Sequence, residues 1–202
     1  AIPMPDILVL YYSRGGSVAR LARHVARGIG EVDAMSARLR TVPPVAVATQ
    51  VAAPPVPEDG APYVESRDLA ECAGQLLGSP TRFGNMAAPM KYFLDGLAGA
   101  WVNASLAGKP ACVFTSTASL HGGQETTLTS MMLPLLHHGM LLMGLPYSEP
   151  ELNATRSGGT PYGVTHVAGP DGSPVLSAEE VALARAQGRR LAQVALQVGG
   201  SR

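Results

Sequence analysis

The residues whose types and spacing could do chemistry fall in three short stretches, and the first is Ser13, Arg14, Gly15, Gly16, Ser17 and Val18. Two adjacent glycines let the backbone turn its N–H groups toward one point, and the serines add hydroxyls. An apolar helical stripe begins at Val18, so the stretch also sits at a helix N-terminus, which carries about half a positive charge. Together these make an anion site. The spacing is not GxGxxG, and it lacks the Gly-Lys-Ser/Thr ending of a P-loop, so a terminal monophosphate suits it better than a pyrophosphate. An ordinary glycine turn with a serine cap would have the same composition. This stretch alone does not separate the two.

The second stretch is Pro80, Thr81, Arg82, Phe83, Gly84 and Asn85. Pro80 stiffens it, Thr81, Arg82 and Asn85 offer donors, and Phe83 offers a ring. Such a loop could line the edge of a planar heterocycle and stabilise negative charge developing there. Asn85 is equally suited to capping the next helix. The third stretch, Ser116, Thr117, Ala118, Ser119, Leu120, His121 and Gly122, mixes hydroxyls with backbone amides. His121 reads by itself as a solvated loop residue. His137 and His138 end a helix, whose dipole favours a protonated imidazole, although a plain surface histidine fits as well. Trp101, the single tryptophan, is either a core or interface anchor or a surface on which a planar substrate stacks. No Ser-His-Asp set, paired-carboxylate site, HExxH helix or metal-ligand spacing is spelled out. A donor-rich pocket without a nucleophile suits a cofactor that brings its own chemistry.

The elements that must position these stretches alternate between strand and helix. Residues 7–12 form a continuous apolar run, the pattern of a strand buried on both faces. Val18, Leu21, Ala22, Val25 and Ile29 then share one helical stripe. Further strands are expected at 34–39, 74–78, 111–115 and 140–145, and further helices at 65–71, 86–97, 125–138 and 178–197. Ser177 and Glu180 make a capping box for the last helix. Residues 80–85 read as a loop, and 146–176 as mostly loop. The Pro/Ala-rich segment 42–62 cannot hold a regular helix. Alternating strands and helices imply a parallel sheet covered on both faces. Ligands bind such sheets at the carboxyl ends of the strands, where all three polar stretches begin.

Length and charge narrow the rest. A chain of 202 residues with 46% hydrophobic residues suits one domain, 1–202, with a core of its own. Net charge is zero, with 15 residues of each sign. That gives neither the basic face nucleic acid requires nor an acidic docking face for a redox protein. Cys72 and Cys112 form no CxxC pair and read as buried structural thiols in a reducing cytosol. With no signal-peptide pattern and no run of about 18 apolar residues, the expectation is a cytoplasmic protein without membrane insertion.

Five segments carry a resemblance: Leu8-Val9-Leu10-Tyr11-Tyr12-Ser13, Ser79-Pro80-Thr81-Arg82-Phe83-Gly84-Asn85-Met86, Gly122-Gly123-Gln124-Glu125, His137-His138-Gly139-Met140 and Gly158-Gly159-Thr160-Pro161-Tyr162-Gly163. In this order, over residues 5–196, they resemble the WrbA family of NAD(P)H:quinone oxidoreductases. The resemblance implies a flavodoxin-like three-layer sandwich with a five-stranded parallel sheet in the order 2-1-3-4-5. It implies FMN as cofactor, NADH or NADPH as co-substrate, and two-electron reduction of quinones by a ping-pong mechanism. It also implies a homotetramer, a dimer of dimers, whose sites borrow residues from neighbours. Carried over by position, residues 13–18 would hold the FMN phosphate. Thr81, Arg82 and Phe83 would contact the isoalloxazine, and residues 116–122 the ring and ribityl chain. His137 would reach a neighbour's flavin, and Trp101 would face quinone and nicotinamide. No side chain is assigned as an acid or base, although His137 and Arg82 could assist charge on ring or quinone. The chain departs from the family pattern at Gly15, where an aromatic residue is usual, and at 118–121, which interrupt a glycine-rich run. Arg14 could replace the lost contact and favour a 2′-phosphate. Two other readings stay open on the residues alone, a flavodoxin-type single-electron carrier and a non-enzymatic regulatory protein.

Overall fold

The computed structural model describes residues 4–46, 57–173 and 175–199. The middle of the Pro/Ala-rich segment expected at 42–62 lies outside the described residues. Strand β1 (Asp6–Tyr11) is buried over its last five residues, as its unbroken apolar run requires. It lies between β2 (Ser36–Thr41) and β3 (Gly74–Arg82), parallel to both. At its end β3 folds back as a hairpin onto β4 (Asn85–Met86). β5 (Pro110–Thr117) runs parallel to β3. The far edge of β5 is shared. Its start pairs with β6 (Leu141–Leu142) and its end with β7 (Val164–Val167). The ladder order β2-β1-β3-β5-β6 is the expected five-position arrangement, with the last position split between two short strands.

Helices cover both faces. α1 (Ser17–Ile29) and α7 (Ala178–Gly199) pack on Ile7, Val9 and Tyr11. α2 (Ser66–Glu71), α3 (Ala88–Asp95) and α5 (Gln124–His137) pack on Leu8 and Leu10. Alternate β1 side chains thus feed two separate cores, the period-2 consequence of a doubly covered sheet. α4 (Ala98–Val102) follows α3, and α6 (Glu151–Ala154) lies between β6 and β7. α1 and α7 touch through reciprocal glycines. A Cβ on Gly28 would lie 1.9 Å from the Arg185 carbonyl oxygen, and one on Gly188 would lie 2.1 Å from that of Val25.

Several expected boundaries move, each for a local reason. The second strand starts at Ser36 because Ala34 takes a left-handed φ of +64° and ends the preceding turn. The third runs on through Pro80 to Arg82, and residues 80–85 form a hairpin where a loop was expected. The helix expected at 86–97 is shorter, Ala88–Asp95, and after Gly96 and Leu97 a separate short helix, Ala98–Val102, holds Trp101. The fifth strand, expected at 140–145, holds its edge only at Leu141–Leu142. The chain then leaves the sheet and returns as β7, inside the span read as loop.

Candidate functional site

The register brings four strand ends to one edge. Tyr11 lies opposite Gly78, Pro80 opposite Ser116, and Thr117 opposite Val167. The segments that follow enclose a cleft of ≈ 470 Å³, within the range of small-molecule sites. Its walls are Ser13, Arg14, Gly15, Ser17 and Val18 after β1, Pro80, Thr81 and Arg82 at the end of β3, and Ser116, Thr117 and Ala118 at the end of β5. A fourth wall, Ala168, Gly169, Pro170 and Gly172 after β7, is one that sequence reasoning missed. Its signal was present in Val164-Thr165-His166-Val167, three of them β-branched, preceded by Gly163 and followed one residue on by Gly169.

The β1 loop is built for an anion. Gly16, with φ +86°, is the N-cap of α1 and supplies no side-chain cap, and the first turn holds no acidic residue. Ser13 Oγ accepts from the Ala19 N–H at 3.2 Å and keeps its own proton free to donate. The N–H groups of Ser17 and Val18 therefore stand at a positive helix end with no carboxylate competing.

The hairpin after β3 is rigid. Phe83 and Gly84 form a two-residue turn with φ of +53° and +77°, the conformation that tight hairpins need. A left-handed aromatic residue costs about 1–2 kcal/mol, yet Phe83 is fully exposed. Gly84 and Gly123 approach so closely that a Cβ on Gly123 would lie 2.9 Å from Gly84 Cα. Thr81 Oγ1 and Thr127 Oγ1 are hydrogen-bonded at 2.8 Å. Asn85 does not cap the next helix, whose N-cap is Ala87. Its Oδ1 accepts from the Met86 N–H at 2.8 Å and the Ser130 hydroxyl at 3.2 Å, tying hairpin to α5.

The remaining expected residues lie further out. Ser119, Leu120 and His121 are exposed and Gly122 is half-buried, outside the cleft lining. Thr117 Oγ1 donates to the Ser119 carbonyl at 2.8 Å, and Gln124 Nε2 to that of Leu120 at 2.7 Å, which fixes the loop's path. Trp101 and His137 sit together in a separate cleft of ≈ 270 Å³ with Pro134 and His138. There Trp101 Nε1 donates to the His137 carbonyl at 2.9 Å. Burial, followed by the charge of His137, pushes the His138 imidazole below its usual range. A third cleft, of ≈ 690 Å³, adjoins the first and shares Arg14 and Arg82 with it. Its other walls include Tyr12, Asn85, Pro89 and Lys91, and Lys91 Nζ bonds Asp95 at 2.6 Å.

What the main cleft can do follows from its donors. A helix end with no side-chain cap from Gly16 would suit the phosphate of an FMN-like ligand, and the hydroxyl- and amide-lined wall from the ends of β3 and β5 would suit its ring and chain, so the residues present fit that group. The thiols do not compete as nucleophiles. Both are buried and free, and burial pushes Cys112 up to about 12 and Cys72 to about 11. Among the described residues no group of three His, Cys, Asp or Glu could hold a metal ion, and no helix is long and apolar enough to cross a membrane. The 158–163 block supports the fourth wall. Gly158 N–H donates to Glu180 Oε1 at 2.8 Å and Gly159 N–H to Thr165 Oγ1 at 2.6 Å, anchoring the insertion to β7 and α7.

Comparison with known proteins agrees with this geometry. A family model described as NADPH-dependent FMN reductase matches residues 5–148. A protein of Chromohalobacter salexigens named NAD(P)H dehydrogenase (quinone) is 45% identical over 201 residues, covering 98% of this chain and all of the relative. The flavodoxin-like fold is shared with a WrbA-like protein of Agrobacterium tumefaciens, with a TM-score of 0.69 and 24% identity over 96% of this chain and 98% of that one. It is also shared with flavodoxin 2 of Bacillus cereus, with a TM-score of 0.61 and 18% identity over 94% and 99%. The resemblance read from the five motifs is borne out, and the chain belongs to the NADPH-dependent FMN reductase family, among its WrbA-type members.

Proposed function

We propose that this chain is an FMN-dependent NAD(P)H dehydrogenase that reduces quinones to hydroquinones. The carrying observation is the cleft itself: a helix N-terminus with no side-chain cap from Gly16 at one end, strand-end donors along its length, and among its lining residues no Cys, His, Lys or carboxylate to act as or activate a nucleophile. The 45% identical relative bears the matching name. FMN, when bound, supplies the two-electron redox chemistry between nicotinamide nucleotide and quinone. The protein's own part is to bind and orient. Ser13, Ser17 and the Ser17 and Val18 N–H groups hold the phosphate. Thr81 and Arg82, braced by the hairpin, and Thr117 and Ala118 set the ring, and their donors favour negative charge on it. Arg14 and Arg82, which border both adjoining clefts, steer the phosphates of the nucleotide. Nucleotide and quinone use one place in turn, which makes the kinetics ping-pong.

The working form is a homotetramer in a reducing, cytoplasmic setting. Exposed Phe83, Tyr92, Trp101, Val102, Leu133 and Leu136 give α3, α4, α5 and the hairpin apolar side chains for contact between copies. Trp101 and His137, apart from the main cleft in one chain, reach a flavin only across a subunit boundary. Steady-state rates with NADPH and benzoquinone varied together test the reading. Parallel double-reciprocal lines are expected, and intersecting lines reject the shared site. Sedimentation gives the assembly, and a monomer at micromolar concentration rejects the borrowed residues.

A further inference from the structure

A buried histidine lies behind the phosphate end of the cleft. His166 on β7 is 1% exposed. Its Nε2 lies 2.8 Å from the Ser173 carbonyl and its Nδ1 2.8 Å from Glu180 Oε2. A carbonyl only accepts, so Nε2 carries a proton. Glu180 accepts at both oxygens, from the N–H groups of Gly158, Val167 and Ser177, at 2.8, 3.1 and 2.9 Å. The carboxylate is therefore ionised, and Nδ1 carries a proton too. The imidazole is a buried cation.

Its position matters because of what Ser173 does. Ser173 closes the 168–173 strap, with its N–H donating to the Ala168 carbonyl at 2.7 Å. The strap supplies the fourth wall of the cleft. The carbonyl that His166 holds also lies 3.4 Å from the Ser17 hydroxyl of the anion loop. One carbonyl thus joins the strap, the anion loop and the buried cation. We propose that His166, as an imidazolium paired with Glu180, is a positioning residue for a phosphate monoester, holding the strap against Ser17 through the Ser173 carbonyl and presenting a titratable positive charge behind the phosphate. This rests on the reading of the cleft as an FMN site.

Three groups face the ring: Glu180 from α7, the Ser173 carbonyl from the strap, and Arg20 from α1. Burial and Arg20 work to lower its pKa. The bonds to Glu180 and Ser173, with the Glu180 charge, outweigh them, and the pKa is raised above 6.5. The charge is complete below that value and is lost as pH rises through the folded pKa.

The test compares FMN with riboflavin, which lacks the phosphate, by fluorescence titration of the full chain stripped of flavin. The phosphate's second ionisation, with a pKa of about 6, is complete by about pH 7.5. Above it, the ratio of FMN to riboflavin affinity should fall as pH rises through the folded pKa of His166. In His166→Asn the ratio should drop about tenfold at pH 7.5, the size of one charge-assisted contact, and lose its pH dependence. An unchanged ratio in the variant, or the same pH profile, overturns the assignment. Nitrogen NMR of the wild-type ring covers the case of a variant that does not fold. Both nitrogens should be protonated at pH 7.5, and a neutral ring overturns the proposal. Failure of both flavins to bind overturns the cofactor reading instead.

Discussion

Replacing Glu180 by Gln removes the negative charge that α7 sets against His166 and keeps the side chain's size. Glu180 is 1% exposed. Burial alone would raise its pKa, but the His166 bond and the N–H groups of Ser177, Gly158 and Val167 hold it at about 2, against an ordinary 4.5. At about 1.4 kcal/mol per pH unit that difference corresponds to about 3 kcal/mol of folding stability near neutral pH. A lowered carboxylate pKa stabilises the fold above 4.5, and the contribution fades as pH falls toward 2. Gln cannot replace it. Its NH₂ would meet either His166 Nδ1–H and the Ser177 N–H or, on the other oxygen, the Ser157 hydroxyl and the Gly158 and Val167 N–H groups, and the buried imidazolium would lose its counter-ion. Urea unfolding at pH 7 should therefore show Glu180→Gln less stable by about 3 kcal/mol. The gap from wild type should narrow between pH 5 and pH 2.5. A loss under about 1 kcal/mol, typical of an ordinary surface charge pair, or a gap that ignores acid, would refute the reasoning.

Three further substitutions probe the site. Gly16→Val places a β-branched residue at φ +86°; it should lower stability by about 1–2 kcal/mol and weaken FMN binding more than riboflavin binding, and flavin titration showing equal losses would count against the anion loop. Arg14→Ala removes a cation that borders both clefts; kcat/KM should fall about tenfold with NADPH and little with NADH, and equal falls would deny Arg14 a 2′-phosphate. Trp101→Ala should raise the quinone KM severalfold and leave FMN affinity unchanged, and unchanged quinone kinetics would remove Trp101 from the substrate face.

The sequence made most of this arrangement legible because its central strands are doubly buried. Continuous runs such as residues 7–12 have few other readings, and polar loops at their carboxyl ends stand out against them. The three expected stretches do meet at one cleft through Ser13, Thr81 and Thr117. Boundaries depending on tertiary contacts were not legible. The hairpin at 80–85 exists because Phe83 accepts a left-handed turn while Gly84 packs on Gly123, and neither fact is written in propensity. β7 was missed because a four-residue strand returning after an insertion gives little periodic signal. With it went the strap and His166. Glu180 was read as a helix cap, which it is, since its N–H donates to Ser177 Oγ at 3.1 Å. Its larger role as the acceptor for His166, Gly158 and Val167 arises only when β7 folds back beside α7.

Whether converging strand ends grip flavin mononucleotide is read from the visible spectrum of the purified chain titrated with FMN. A yellow, stoichiometric complex is expected, whose absorbance bleaches on anaerobic NADPH addition and returns when benzoquinone is supplied. A folded protein that stays colourless at saturating FMN would contradict this.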